Sequence, residues 1–192
     1  RSSEASDVYK RQDEEIYRKI VENRSVKDKD AKDTAKIVGL SAIKYGDLSN
    51  QATKDYIFDV DRFTSFEGNT GPYILYTIVR IKSILNRYVQ EGGDLSTGKI
   101  LPAVNASEKN LMLQLSGFAA MVENAFEEKA PHKICAYIYE VSNAFNSFYH
   151  ETKILSEEDQ AQKESFLQLL QLTRRVLETS IDLLGFSAPD RM

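Results

Sequence analysis

One cysteine, Cys135, in 192 residues leaves no internal partner for a disulfide, and with only two histidines no Cys/His cluster has zinc spacing. A reducing, cytosolic setting fits that scarcity. No stretch of eighteen apolar residues occurs, so no segment reads as a membrane span. The phosphate-loop pattern GxxxxGK[ST], the dinucleotide pattern GxGxxG, the nucleophile elbow GxSxG and a metal-type His-x-x-x-His pair are all missing. His132 and His150 have no Ser, Cys or carboxylate beside them in a telling pattern and read as surface or helix-end histidines. Cys135 follows a core position and reads as an inert packed thiol. The paired acids Glu127-Glu128 and Glu157-Glu158 read as solvated or helix-start charges, not as an acid/base pair. The sequence thus supplies no catalytic residue and no metal ligand set. An excess of positive charge is also lacking: 25 Lys and Arg face 29 Asp and Glu, a net charge of −4. Residues 1–65 hold thirteen of each sign, and 66–192 hold twelve basic against sixteen acidic. A binder that grips nucleic acid through a broad basic field is excluded, so any such site must be local.

What is present is enough apolar material for a core. Hydrophobic residues make up 42% of the chain, too many for disorder. The length suggests one domain, or one domain and a piece of another. Arg1 to Gln12 is polar and aperiodic; it reads as a non-native extension or a disordered natural terminus. Residues 14–24 form a short helix candidate. Asp30 or Asp33 is placed to cap a helix whose apolar positions Ala35, Val38, Ala42 and Tyr45 recur at three and four, with Gly46 as its stop. Residues 55–61 alternate apolar and acidic residues, a short strand or an extended arm. One helical turn is expected over 61–66. Pro72 starts a helix reaching Val89, closed by Gly92-Gly93. Residues 94–106 form a loop containing Pro102. Ser107 is the expected N-cap of a helix with core face Leu111, Leu115, Phe118, Val122 and Phe126. Pro131 opens another, with stripe Ile134, Ile138, Val141, Phe145 and Phe148. Ser156 with Asp159 resembles a capping box for the last helix, which runs to about Leu184 with Gly185 at its C′ position. The expected fold class is all-α: an antiparallel-rich helical bundle.

The most informative stretch is Phe66-Glu-Gly-Asn-Thr-Gly-Pro-Tyr-Ile-Leu-Tyr-Thr-Ile-Val-Arg80. Tyr73 and Arg80 lie two helical turns apart and point to one side. A ring beside a guanidinium is able to stack on a base and hold a phosphate. The plainer readings stay open: tyrosines at helical spacing (Tyr73, Tyr76, Tyr88, Tyr137, Tyr139, Tyr149) are also what a core or half-buried face contains, and Gly68 and Gly71 also suit a tight turn without a ligand.

In its motifs the chain resembles the arginyl-tRNA synthetases. The family pattern Gly-hydrophobic-x-Ala-hydrophobic-Lys-Tyr-x-Asp-Leu is matched by Gly39 to Leu48, and Asp-Tyr-x-Phe-Asp by Asp55 to Asp59. Phe66 to Arg80 matches the junction between catalytic body and anticodon-binding (DALR) bundle. Pro131 to Glu140, Phe148-Tyr149, Leu184-Gly185 and the terminal Arg191-Met192 follow in order. The family commonly has Gln where this chain has Leu75, so no polar contact carries over there.

The resemblance implies an all-α anticodon-binding bundle at about 66–192, preceded at 13–65 by the helical tail of a class I catalytic body. The adenylate-forming motifs of that body are absent, so the chain is expected to be a C-terminal fragment, inactive alone. The full enzyme would attach arginine to tRNA(Arg) using ATP and Mg²⁺; the fragment itself is expected to hold neither. Tyr73, Arg80, Tyr149 and Met192 are the implied anticodon contacts, with Lys44 and Tyr45 facing the tRNA stem. Expected partners are tRNA(Arg), not DNA or membrane, for a cytoplasmic monomer. The rival readings are a helical protein-interaction module or the equivalent domain of a cysteinyl- or glycyl-type synthetase.

Overall fold

The structure, a computed structural model, describes residues 28–192 apart from Phe58, and side chains from residue 33 onward. The helix expected over 14–24 and the tail Arg1 to Gln12 lie outside the described residues. Seven α-helices follow: α1 Asp28–Leu48, α2 Val60–Phe63, α3 Gly71–Gln90, α4 Ala106–Ser116, α5 Phe118–Glu127, α6 Pro131–Glu151 and α7 Gln160–Leu183, with a 3-10 turn at Ile154–Ser156 before α7. No strand occurs among the described residues, which makes the fold all-α as expected. Residues 55–57 and 59 lie in no strand and lead into α2, which takes in 60 and 61, so the strand alternative falls.

Helix α3 is central, packing against α1, α6 and α7. Its sequence explains that position. Thr70 caps it by accepting the Tyr73 N–H at 3.2 Å, and Pro72 occupies its first turn, where no intrahelical donor is needed. Ile74, Leu75, Ile78, Ile81 and Leu85 are all buried, a stripe too wide for a helix with one neighbour. Leu75 is fully enclosed, which explains why an apolar residue serves there. At Gly71 a Cβ would collide with the Ser41 carbonyl, so glycine lets α1 and α3 approach backbone to backbone.

Helix α1 shares this core. Ala35, Val38 and Tyr45 belong to the same buried cluster as the α3, α6 and α7 side chains. Two expectations about α1 are corrected. The helix already begins at Asp28, so Asp30 and Asp33 lie within it rather than capping it. Gly46 does not stop it: the helix continues to Leu48, and a Cβ at 46 would lie 2.8 Å from the Phe63 ring. Gly46 is small because Phe63 of α2 lies over it.

The helix expected across 107–126 is broken. Gly117 ends α4 and begins α5. The apolar stripe misleads at its end, because Ala125 faces inward while Phe126 is 82% exposed. Asn105, not Ser107, caps α4; its carbonyl accepts from the Glu108 N–H at 2.8 Å, and the Ser107 hydroxyl donates to the same oxygen. Asp159, not Ser156, caps α7 by accepting from the Gln162 N–H at 3.0 Å, while Ser156 closes the 3-10 turn. The far end of α7 is as expected. Gly185 takes φ of 81°, its N–H donates to Asp182 and that of Phe186 to Ile181, the Schellman pattern with Phe186 and Ile181 both buried.

Candidate nucleic-acid interface

Tyr73, Tyr76 and Arg80 stand on one side of α3 and face Tyr139, Asn143, Asn146 and Tyr149 at steps of three and four on α6. Two sequence-distant helix faces thus meet along one seam. The Tyr73 hydroxyl donates to Asn143 Oδ1 at 2.8 Å and accepts from Asn146 Nδ2 at 2.8 Å. Asn146 Oδ1 accepts in turn from Arg80 Nη1 at 2.8 Å. Asn146 therefore reads two groups at once and ties Tyr73 to Arg80. The Tyr73 ring leans on Tyr139 with centroids 5.7 Å apart.

The Arg80 guanidinium lies 4.6 Å from the Tyr76 ring centre and 5.3 Å from that of Tyr149, close enough for cation–π attraction to both. Tyr149 is stacked on buried Phe145, centroids 6.0 Å apart and planes 23° off parallel, and remains 37% exposed. A ring held by neighbours yet partly exposed presents its free surface without losing much further freedom on binding. Burial raises the Tyr73 hydroxyl pKa above its ordinary value, with the Asn146 hydrogen bond opposing, so the group is a neutral phenol at physiological pH.

Of the sequence-predicted residues, Tyr73, Arg80 and Tyr149 come together here. Met192 is half-buried against the core at the end of a tail held elsewhere on α3. Lys82 Nζ lies 3.2 Å from Glu178 and 3.5 Å from Asp190 and donates to the Pro189 carbonyl at 3.4 Å. Lys82 sits two positions from Arg80, on another side of the helix. Tyr45 requires a correction. It is fully buried, and its hydroxyl donates to the Cys135 carbonyl at 2.8 Å and lies within hydrogen-bond distance of the Asn69 amide. Its side chain is a core strut with no surface to offer a tRNA stem, and burial pushes its pKa far up. Lys44 donates its amine to the Gly185 carbonyl, where positive charge suits the C-terminal end of α7.

Sequence reasoning missed Asn143 and Asn146. Their step of three on the α6 face, four and seven residues after Tyr139, was the available signal. Among the described residues no group of three His, Cys, Asp or Glu could hold a metal ion. Among the same residues no helix is long and apolar enough to cross a membrane.

A helical bundle that gathers flat rings and a guanidinium along one seam is the kind of module that grips unstacked bases. The chain belongs to the DALR anticodon binding domain family, whose model matches residues 74–192. It is similar to the arginine–tRNA ligase of Agathobacter rectalis, 65% identical over 188 residues covering 94% of this chain and 32% of that protein. The arginine–tRNA ligase of Alkaliphilus oremlandii is 52% identical over 92% of the chain and 30% of its own length. Among solved structures, Thermus thermophilus arginyl-tRNA synthetase superposes with a TM-score of 0.87 at 28% identity, over 97% of this chain and 32% of that one. The Plasmodium falciparum arginyl-tRNA synthetase does so with 0.79 at 26%, over 97% and 33%. The chain thus spans about a third of the length of the relatives it matches.

Proposed function

We propose that this chain is the anticodon-binding part of an arginine–tRNA ligase, and that the α3–α6 seam holds bases of the tRNA(Arg) anticodon loop. The observation that carries this reading is the Arg80 guanidinium set between the Tyr76 and Tyr149 rings and tied by Asn146 to Tyr73. Loop bases are unstacked and take flat partners; Tyr149 offers a partly exposed ring, and Arg80, held against two rings, keeps donors for a phosphate. Residues 66–192 form the gripping unit in this reading, and α1 joins it to the body of the enzyme. Met192 and Lys44 are the outlying contacts: Met192 brings an adaptable thioether, and Lys44 keeps donors beyond the one given to Gly185. Arginine activation with ATP and Mg²⁺ belongs to the parent enzyme, and no residue described here is assigned to it. The protein works in the cytoplasm.

Filter binding with tRNA(Arg) and a non-cognate tRNA tests this. Cognate tRNA is expected to bind more tightly, and Tyr149→Ala to weaken it by about 1–3 kcal/mol with little change in thermal midpoint. Equal affinity for both tRNAs, unaffected by Tyr149→Ala, would sink the proposal. The isolated chain is expected to show no arginine-dependent ATP–pyrophosphate exchange, and turnover above background would refute its assignment to the anticodon-binding part alone.

A further inference from the structure

Beyond Arg80 the seam opens into a cleft of roughly 430 Å³ between α3 and the segment joining α6 to α7. Its wall includes Arg80, Arg87 and Lys153, with Tyr149 beside them and Ser83 and Ser156 at the rim. No carboxylate lines it, in a chain of net charge −4. Arg80, Ser83 and Arg87 share one face of α3 at steps of three and four.

The local fold fixes each cation differently. Arg80 gives one donor to Asn146 and keeps the rest. Arg87 pairs with Glu91 at 2.9 Å, but both side chains are more than half exposed, and such pairs contribute little and yield readily to a competing anion. Lys153 pairs with no described carboxylate. Its backbone is held on both sides: the Thr152 N–H donates to Phe148 at 3.0 Å, Ile154 is buried, and the Ser156 N–H donates to the Lys153 carbonyl at 3.1 Å.

We propose that this cleft is a backbone subsite for single-stranded RNA. It takes the phosphodiester flanking a base stacked on Tyr149, with Lys153 and Arg87 on the phosphate oxygens. The proposal rests on the anticodon-loop reading and adds to it two residues and a ligand group. Three cations on a wall without a carboxylate, only Arg87 of them paired and with an exposed Glu91, favour an anion, and the adjoining partly exposed ring favours an anion attached to a base. A net-acidic protein needs such a local device, because its overall field repels RNA.

The test is fluorescence anisotropy of the 192-residue chain with the anticodon stem-loop of tRNA(Arg) over a range of NaCl concentrations. Lys153→Gln and Arg87→Gln are each expected to weaken binding several-fold at low salt and to flatten the slope of log K against log salt by about 0.7. Lys109→Gln, an exposed charge on α4, serves as the control for simple loss of charge and should leave the slope nearly unchanged. Thermal midpoints should not move, because Arg87 and Lys153 are exposed. If Tyr149→Ala weakens binding while the Lys153 and Arg87 variants do not, or do so without changing the slope, the subsite is refuted and the anticodon reading stands. If none of the three variants changes affinity, both fall. Inorganic phosphate is expected to displace RNA no better than chloride of equal ionic strength. Saturable phosphate binding with RNA affinity indifferent to Lys153→Gln would mark a free-anion site and overturn the proposal.

Discussion

Lys129 holds φ at 50°, the left-handed region that side chains with a Cβ disfavour. It sits just past the end of α5, where its N–H donates to Phe126 and that of Ala130 to Ala125, a helix end that glycine usually serves. Lys129→Gly should therefore stabilise the fold by about 1 kcal/mol, read as a higher urea midpoint with unchanged m. Asn146 is a second residue whose effect is out of proportion to its size. It contacts both Tyr73 and Arg80, so Asn146→Ala should lower stability by only about 1 kcal/mol yet also weaken tRNA(Arg) binding by freeing Arg80 from its place between two rings. An affinity that stays at the wild-type level would show that the rings alone orient the guanidinium.

At the scale of the element, the start of α4 makes stability depend on pH. Glu108 is buried; burial holds its carboxyl pKa above the ordinary value, against the lowering effect of hydrogen bonds from the Val104 and Asn105 region. A carboxyl raised in the native state contributes stability that is fully present below its unfolded pKa and is lost as pH rises through the native one. Wild type should thus gain stability relative to Glu108→Gln as pH falls from about 7 to about 4. A difference between the two that stays constant across that window would contradict the prediction. The elements most legible in the sequence were those marked by backbone chemistry: Pro72 and Pro131 at helix starts, Gly92 and Gly185 beyond helix ends. The break at Gly117 was hidden because the glycine keeps a right-handed φ of −79°, and the apolar stripe runs on across it. Gly46 misled for the opposite reason, being chosen for the Phe63 ring rather than for a turn. The site was half legible. Tyr73 and Arg80 share a helix, so period alone aligned them. Asn143 and Asn146 share a face with Tyr139 by period, but that this face meets α3, and that Lys153 beyond α6 lies near Arg80, follows only from the packing of the helices. Only the family resemblance turned Tyr45 toward a tRNA stem; its spacing with Ala35, Val38 and Ala42 had already put it on the apolar face, where it is buried.

At the scale of the molecule, α1 and the bundle share one core: Gly71 admits Ser41, and Tyr45 reaches the backbone of Cys135. A chain cut to residues 66–192 loses the burial of Ala35, Val38, Ala42 and Tyr45. It should be less stable by at least about 3 kcal/mol, from roughly 1.5–3 kcal/mol for each large side chain uncovered. Chemical denaturation of the two chains decides it, and equal midpoints would mean that α1 is a mere appendage. The same strut gives the molecule a clock. Cys135 is the only thiol in the chain, fully enclosed, and burial pushes its pKa up to about 12. While the fold is closed it offers an alkylating reagent neither access nor thiolate. Each labelled molecule then records one opening of the shared core around Cys135, and the rate of labelling counts how often the helices packed on α6 part from it.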